Sequence, residues 1–312
     1  MTTDSTLPSS PRLSPPPVNS ARWRRFLAAI VVLTLGFCIP LFHVARFALQ
    51  SNLYSHVILV PIVSAYLIWI RRDALKDEGA RLLPLWGIGT MIAGLGLAAY
   101  YLTLSAATAN DRQNSAAIAM YSFVVLISAA ALLFLGRKNL KVVAFPLVFL
   151  LFLAPFPVPV EETIEGFLQH YSAVTAHAMF EATGMPVFRD GTYFRLPGFS
   201  MYVAPECSGI HSTVALFLTS LVGGQLLLQS PWRRAVLAVA VIPIALVRNG
   251  LRVFVIGELC VRIGPEMIDS FIHHHGGPIF FTLSLIPFSL VLAWLIRSDR
   301  RAHPAPATPV SK

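Results

Sequence analysis

The sequence predicts an all-α polytopic membrane protein of about eight transmembrane helices, with a small extracytoplasmic cap containing a β-hairpin. Three observations lead there. Hydrophobic residues make up 55% of the 312 and charged residues 12%, where a soluble domain carries about 25% charge. Apolar runs recur along the chain at lengths close to the ~20 residues that cross ~30 Å of hydrocarbon. One long segment between runs holds Asp190-Gly191 among β-prone residues, a strong hairpin signal. With a mean hydropathy of +0.67, the chain cannot clothe itself in polar groups, and lipid is its natural solvent.

Residues 1–20 are rich in Pro and Ser and read as a disordered cytoplasmic tail. The apolar runs then fall at 26–44, 53–70, 85–104, 116–135, 142–157, 209–229, 235–256 and 278–296. Arg22, Arg24 and Arg25 precede the first run, as they would a signal peptide. The run is long for that role and no small-x-small cleavage site follows it, so it reads as a retained anchor. The transmembrane domain occupies 21–297, with its outer cap at about 158–207. Residues 298–312 read as a second disordered cytoplasmic tail.

The net charge of +9 does not imply nucleic acid, because the basic residues are dispersed in short clusters between apolar runs. Placing both termini in the cytoplasm puts most of the 24 Lys and Arg on that side, including Arg71, Arg72, Arg137, Lys138, Lys141, Arg233 and Arg234. The opposite orientation breaks the positive-inside rule at every loop. Arg46, Arg112, Arg189, Arg195, Arg248, Arg252 and Arg262 are the exceptions. The chain is thus expected in the inner (plasma) membrane. A reporter fused after Arg72, Lys141 or Arg234 should read cytoplasmic, and one within 160–200 should read external. An external signal after Arg234 would reverse the orientation of the carboxy-terminal half.

The long outer segment at 158–207 is more than a connector. Residues 161–183 mix apolar and polar character, as in a helix lying on the membrane surface. The hairpin that follows would form a lid or wall above the membrane. A second outer segment, 257–277, holds Cys260, Arg262, Glu266, Asp269 and the run His273, His274, His275.

Three cysteines provide no disulfide framework. Cys38 lies inside the first apolar run and reads as a small buried hydrophobe. Cys207 lies in Ala204-Pro-Glu-Cys-Ser-Gly-Ile-His-Ser, where the outer segment meets a helix. Ser208 is placed to cap that helix. A thiol at a helix amino terminus meets unpaired N–H groups and the positive end of the macrodipole, which favour thiolate. The same N–H groups can bind an oxyanion. Arg248 and Arg252 share one face of the seventh apolar run, with Asn249 between them. They read either as site residues or as arginines that snorkel to the interface or pair with Glu258. The histidines offer a general base near neutral pH. A metal site built from Asp269, His273 and His275 is the alternative, although consecutive ligands point in different directions. Thiolate, guanidinium and imidazole, all expected at the outer face, make a coherent acyl-transfer set.

The blocks Pro205-Glu-Cys-Ser-Gly-Ile-His-Ser, Asn249-Gly-Leu-Arg-Val and His273-x-x-x-Gly277-x-x-x-Phe281 resemble the three signature blocks of the exosortase/archaeosortase family. The resemblance spans about 50–296, with its sharp motifs between 200 and 282. It implies a membrane cysteine protease or transpeptidase that cleaves carboxy-terminal sorting tails of exported proteins. Such a tail carries a Pro-Glu-Pro-like motif, a membrane helix and a basic cluster. The resemblance also implies Cys207 as nucleophile, Arg252 as essential arginine and His273 as essential histidine. Arg248, Asn249, Ser208, His274 and His275 are candidate supporting residues. The tripled histidine leaves open which one acts, and Pro278 stands where relatives often carry an aromatic residue. The implied partners are the tailed proteins, the bilayer and an acceptor such as an exopolysaccharide; no cofactor, metal or nucleic acid is implied. The competing readings are a transporter or polysaccharide-export component, with the arginines binding an anion, and a metal-dependent intramembrane hydrolase.

Overall fold

The computed structural model describes residues 21–51, 53–75, 83–104, 108–269 and 271–302. For Glu206, Ile268, Asp269 and residues 271–275 only the backbone is described. The tail expected at 1–20 lies outside the described residues. The chain divides into two units, Met1–Phe156 and Pro157–Lys312.

The first unit contains α1 (Ala21–Gly36), α2 (Cys38–Gln50), α3 (Leu59–Ile70), α4 (Pro84–Thr103), α5 (Ala109–Phe134) and α6 (Gly136–Phe149). Its first apolar run is bent by 71° between α1 and α2. Pro40 has no N–H to offer the Gly36 carbonyl, so the ladder loses a rung there. The bonds on either side persist, Phe37 N–H to Leu33 O and Leu41 N–H to Phe37 O, both 2.9 Å. Cys38, expected to be buried, is exposed on the first turn of α2. On a lipid-facing surface an apolar thiol needs no burial within protein. The core helix of this unit is α5, 61% buried over its apolar window against 11% for α4. Close approach of the two is set by glycines: a Cβ on Gly87 would lie 2.6 Å from Leu133 Cδ2, and one on Gly94 2.8 Å from Leu126 Cδ2. Ser122 Oγ donates to Gly94 O at 2.8 Å across the same seam. Small residues serve this purpose where membrane helices pack.

The second unit contains α7 (Val158–Ala182), β1 (Phe188–Asp190), β2 (Tyr193–Leu196), β3 (Phe199–Tyr202), α8 (Ile210–Leu227), α9 (Pro231–Arg262) and α10 (Phe271–Ala302). The helix expected near 161–183 is α7, and it packs along α9. Gly250 and Gly257, two turns apart on α9, set that contact. An added Cβ would lie 2.7 Å from Thr175 Cβ at the first and 2.5 Å from Phe180 Cζ at the second. Phe180 is fully buried and has nowhere to move. Gly257→Val is therefore expected to destabilise the protein by about 1–3 kcal/mol, read as a lower melting temperature in detergent; an unchanged melt would mean the seam is loose.

The expected hairpin is β1–β2, joined through Gly191 at φ 60° with Asp190 opposite Tyr193. A third strand extends it: β2 pairs antiparallel with β3 through Pro197-Gly198. Phe194, Leu196 and Met201 face inward onto Phe180 and Val253, while Tyr193 and Arg195 face out. The sheet is thus seated on α7 and α9.

At the other end of α9, Arg233 Nη1 lies 2.6 Å from Asp299 Oδ1, with both side chains buried. Ser230 Oγ and Gln229 N–H donate to the same carboxylate. Residues 298–302, read from sequence as the start of a tail, instead continue α10, and this ion pair fixes them. The rest of that tail, from 303, lies outside the described residues.

Among the described residues five helices are individually long and apolar enough to cross a membrane, or up to seven when 21–50 and 136–182 are each taken as one broken span. The chain is a multi-pass membrane protein. The run at 53–70 provides only the shorter Ser55–Ile70. Its α-helical part has 12 residues, about 18 Å at 1.5 Å per residue, and falls short of the hydrocarbon thickness. α9 and α10, at 32 residues each, continue past their apolar runs at both ends.

Candidate active site

The chain leaves β3 in an extended path. Val203 N–H bonds to Thr192 O at 3.0 Å, and the Gln169 side chain of α7 donates to Val203 O. The backbone then tightens into a 3-10 turn, Pro205–Cys207, with Cys207 N–H on Ala204 O at 2.9 Å. The sheet and Gln169 therefore fix the residues that deliver Cys207 to the start of α8.

Gly209, at φ 74°, is the residue that caps α8. The sequence reading gave this role to Ser208, and the structure corrects it. Ser208 is already helical, its N–H closes on Pro205 O, and its buried hydroxyl makes no hydrogen bond. A left-handed turn is needed to swing the chain from the 3-10 turn into the helix, and glycine supplies it without strain. A Cβ at 209 would also lie 2.8 Å from Arg248 Nη2 and 3.0 Å from Asn249 Oδ1.

Those two contacts show how α9 grips this junction. Asn249, almost fully buried, donates Nδ2–H to Cys207 O at 2.8 Å. Arg248, 6% exposed, donates from Nη2 to Gly209 O at 3.1 Å and to Thr213 Oγ1 at 3.2 Å. Thr213 in turn donates to Gly209 O, at 2.8 Å from Oγ1. Arg248 thus neither snorkels nor pairs with Glu258; that carboxylate is taken by Arg262 at 2.5 Å.

Cys207 and Arg252 line one cavity of about 30 Å³, together with Met201, Tyr202, Val203, Val253 and Ile256. That is about the volume of a single water. Cys207 is half-buried against the sheet core. Arg252 is one helical turn beyond Arg248, on the same face of α9. The structure therefore brings Cys207, Asn249, Arg248 and Arg252 together and places Ser208 beside them. His273, His274 and His275 fall in the first turns of α10, and their side chains lie outside the described residues. So do the side chains of the metal reading; among the described residues no cluster of metal-binding side chains occurs. Cys260 is buried near the carboxy end of α9.

Two residues of the site were not foreseen. Thr213 had a local signal, being six residues after Cys207 on the helix it begins. Gln169 had none, because its acceptor is 34 residues away in sequence.

Residues 48–290 match the family model described as transmembrane exosortase. Neither the curated proteins nor the solved structures contain a match.

Proposed function

The chain belongs to the transmembrane exosortase family, and from that premise we propose that it is a cysteine peptidase or transpeptidase that removes carboxy-terminal sorting tails from exported proteins at the outer face of the inner membrane. One observation carries this reading: Cys207 and Arg252 line the same cavity, while Asn249 holds the Cys207 carbonyl and Arg248 holds the next turn.

In this mechanism the Cys207 thiolate attacks a backbone carbonyl of the substrate just outside the membrane. That thiolate forms when an imidazole of the 273–275 run, His273 by the family pattern, takes the Cys207 thiol proton. The Arg252 guanidinium stabilises the oxyanion. Collapse of the tetrahedral adduct breaks the C–N bond, and the imidazolium returns its proton to the leaving amine of the tail. The thioester on Cys207 is then resolved by water, giving hydrolysis, or by an acceptor amine or hydroxyl, giving transfer. The transporter reading has both arginines bind an anionic substrate; Nη2 of Arg248 is engaged by Gly209 O and Thr213.

The test is to trap the intermediate. Briefly reacted enzyme and tailed substrate should yield a covalent adduct that hydroxylamine releases and that maps to Cys207. Cys260→Ser should form the same adduct at the same level, since that thiol is buried and has no role in the mechanism. An adduct on Cys260, or none at all in a preparation that processes substrate, would overturn the proposal.

A further inference from the structure

The first unit holds a cavity of about 700 Å³ bounded by α2, α4 and α5. It opens at the carboxy ends of α2 and α4 and the amino end of α5, the end that the charge pattern places outside. Arg46 of α2 and Arg112 of α5 line it, and both are exposed. Both are exceptions to the positive-inside trend. Among the described residues neither makes an ion pair. The nearest carboxylate in sequence, Asp111, is engaged by the Thr108 hydroxyl and N–H in the cap of α5. Two guanidinium groups from different helices thus share one cavity with no counter-charge of their own.

The lining changes character with depth. Along α5 it passes from Arg112 to Ala116 and Ala119, a descent of about 10 Å at 1.5 Å per residue. Along α2 it passes from Gln50 and Arg46 to Pro40 in the opposite chain direction. The two arginines therefore lie at the outer end of the cavity, His43 and Ser115 about a turn further in, and Pro40 and Ala119 at the inner end. Leu49 and Leu102 beside it are 77% and 80% exposed, as lipid-facing side chains would be. A lone interfacial arginine is explained by snorkelling. Two that converge on a cavity with an apolar floor match an amphiphile.

We propose that this cavity binds a phosphate-bearing membrane lipid, with the phosphate held between Arg46 and Arg112 and the first part of an acyl chain over Ala116 and Ala119. Guanidinium forks suit phosphate oxygens because two parallel N–H donors match their spacing. A volume of about 700 Å³ falls in the usual range of ligand sites and exceeds what a phosphate alone would fill.

The experiment uses the full chain purified in a neutral detergent, with thermal melting as readout. Four probes are compared: dioctanoyl phosphatidic acid, dioctanoylglycerol, inorganic phosphate and an acidic Pro-Glu-Pro peptide. Phosphatidic acid should raise the melting temperature saturably, and the other three should not do so at equal concentration. Arg46→Gln with Arg112→Gln should weaken the apparent affinity about tenfold or more. Ala116→Phe, which fills the floor and leaves both arginines, should weaken it as well. An equal shift with inorganic phosphate would overturn the lipid in favour of a free anion. A shift with the peptide alone would make this a peptide site. Undiminished affinity in both variants would place lipid binding elsewhere.

Discussion

Cys207→Ser is expected to abolish processing, lowering the rate by on the order of 10⁴ or more, as removal of a hydrolase nucleophile does, while the protein inserts at its normal level. The fold should survive because serine keeps the two backbone bonds that seat this residue. Cys207 N–H bonds to Ala204 O, and Cys207 O accepts from Asn249. Neither bond involves the sulfur, and serine is close to cysteine in size. The chemistry should not survive, since a hydroxyl has a far higher pKa than a thiol and imidazole without an acidic partner activates it poorly. The variant should accumulate precursor with its tail still attached, visible as a mass difference on a gel. Processing at close to the wild-type rate would make Cys207 a structural thiol and return attention to the histidines as metal ligands.

The second large effect is expected at Arg252. Lysine keeps the charge but replaces a planar fork of donors with a point charge. If Arg252 binds the oxyanion by directed hydrogen bonds, Arg252→Lys should lower kcat by about 10²–10³, with its main effect on rate and not on protein level. Arg248→Lys should behave in the reverse way. Its guanidinium holds Gly209 O and Thr213 together, and an ammonium can serve that pair only in part. The loss should appear mainly as a lower melting temperature and protein level, with a milder effect on kcat. Equal and small effects on kcat at both positions would point to an anchoring role for the two arginines.

What the sequence disclosed is what depends on local composition. Apolar runs mark helices because hydrocarbon leaves the backbone no other partner, and Asp190-Gly191 marks a tight turn because few residues tolerate its backbone angles. The bend at Phe37 was equally local, since Pro40 stands in the run, yet run length alone conceals it. The third strand followed from Pro197-Gly198, a turn signal that a hairpin reading passes over. What stayed hidden depends on long-range geometry. Nothing near Asn249 says that its amide reaches back to residue 207. Nothing near Arg248 says that it braces Gly209 in place of reaching water. The family motif marked Asn249 without saying what its amide touches, and Arg248 stood outside it. Ser208 shows the opposite error: a good capping residue at a plausible place lost the role to its neighbour, because the chain had to reverse there and only glycine reverses freely.

The ion pair between Arg233 and Asp299 bears on biogenesis. Arg233 enters the protein at the start of α9, but its carboxylate partner is not translated until α10 is almost complete. Until then the guanidinium occupies a site built for a closed pair, and the 229–230 turn lacks the acceptor that orders it. A nascent or truncated chain that stops short of residue 299 therefore lacks the carboxylate that closes this pair and leaves a buried guanidinium uncompensated at the start of α9, the costly case for a buried charge.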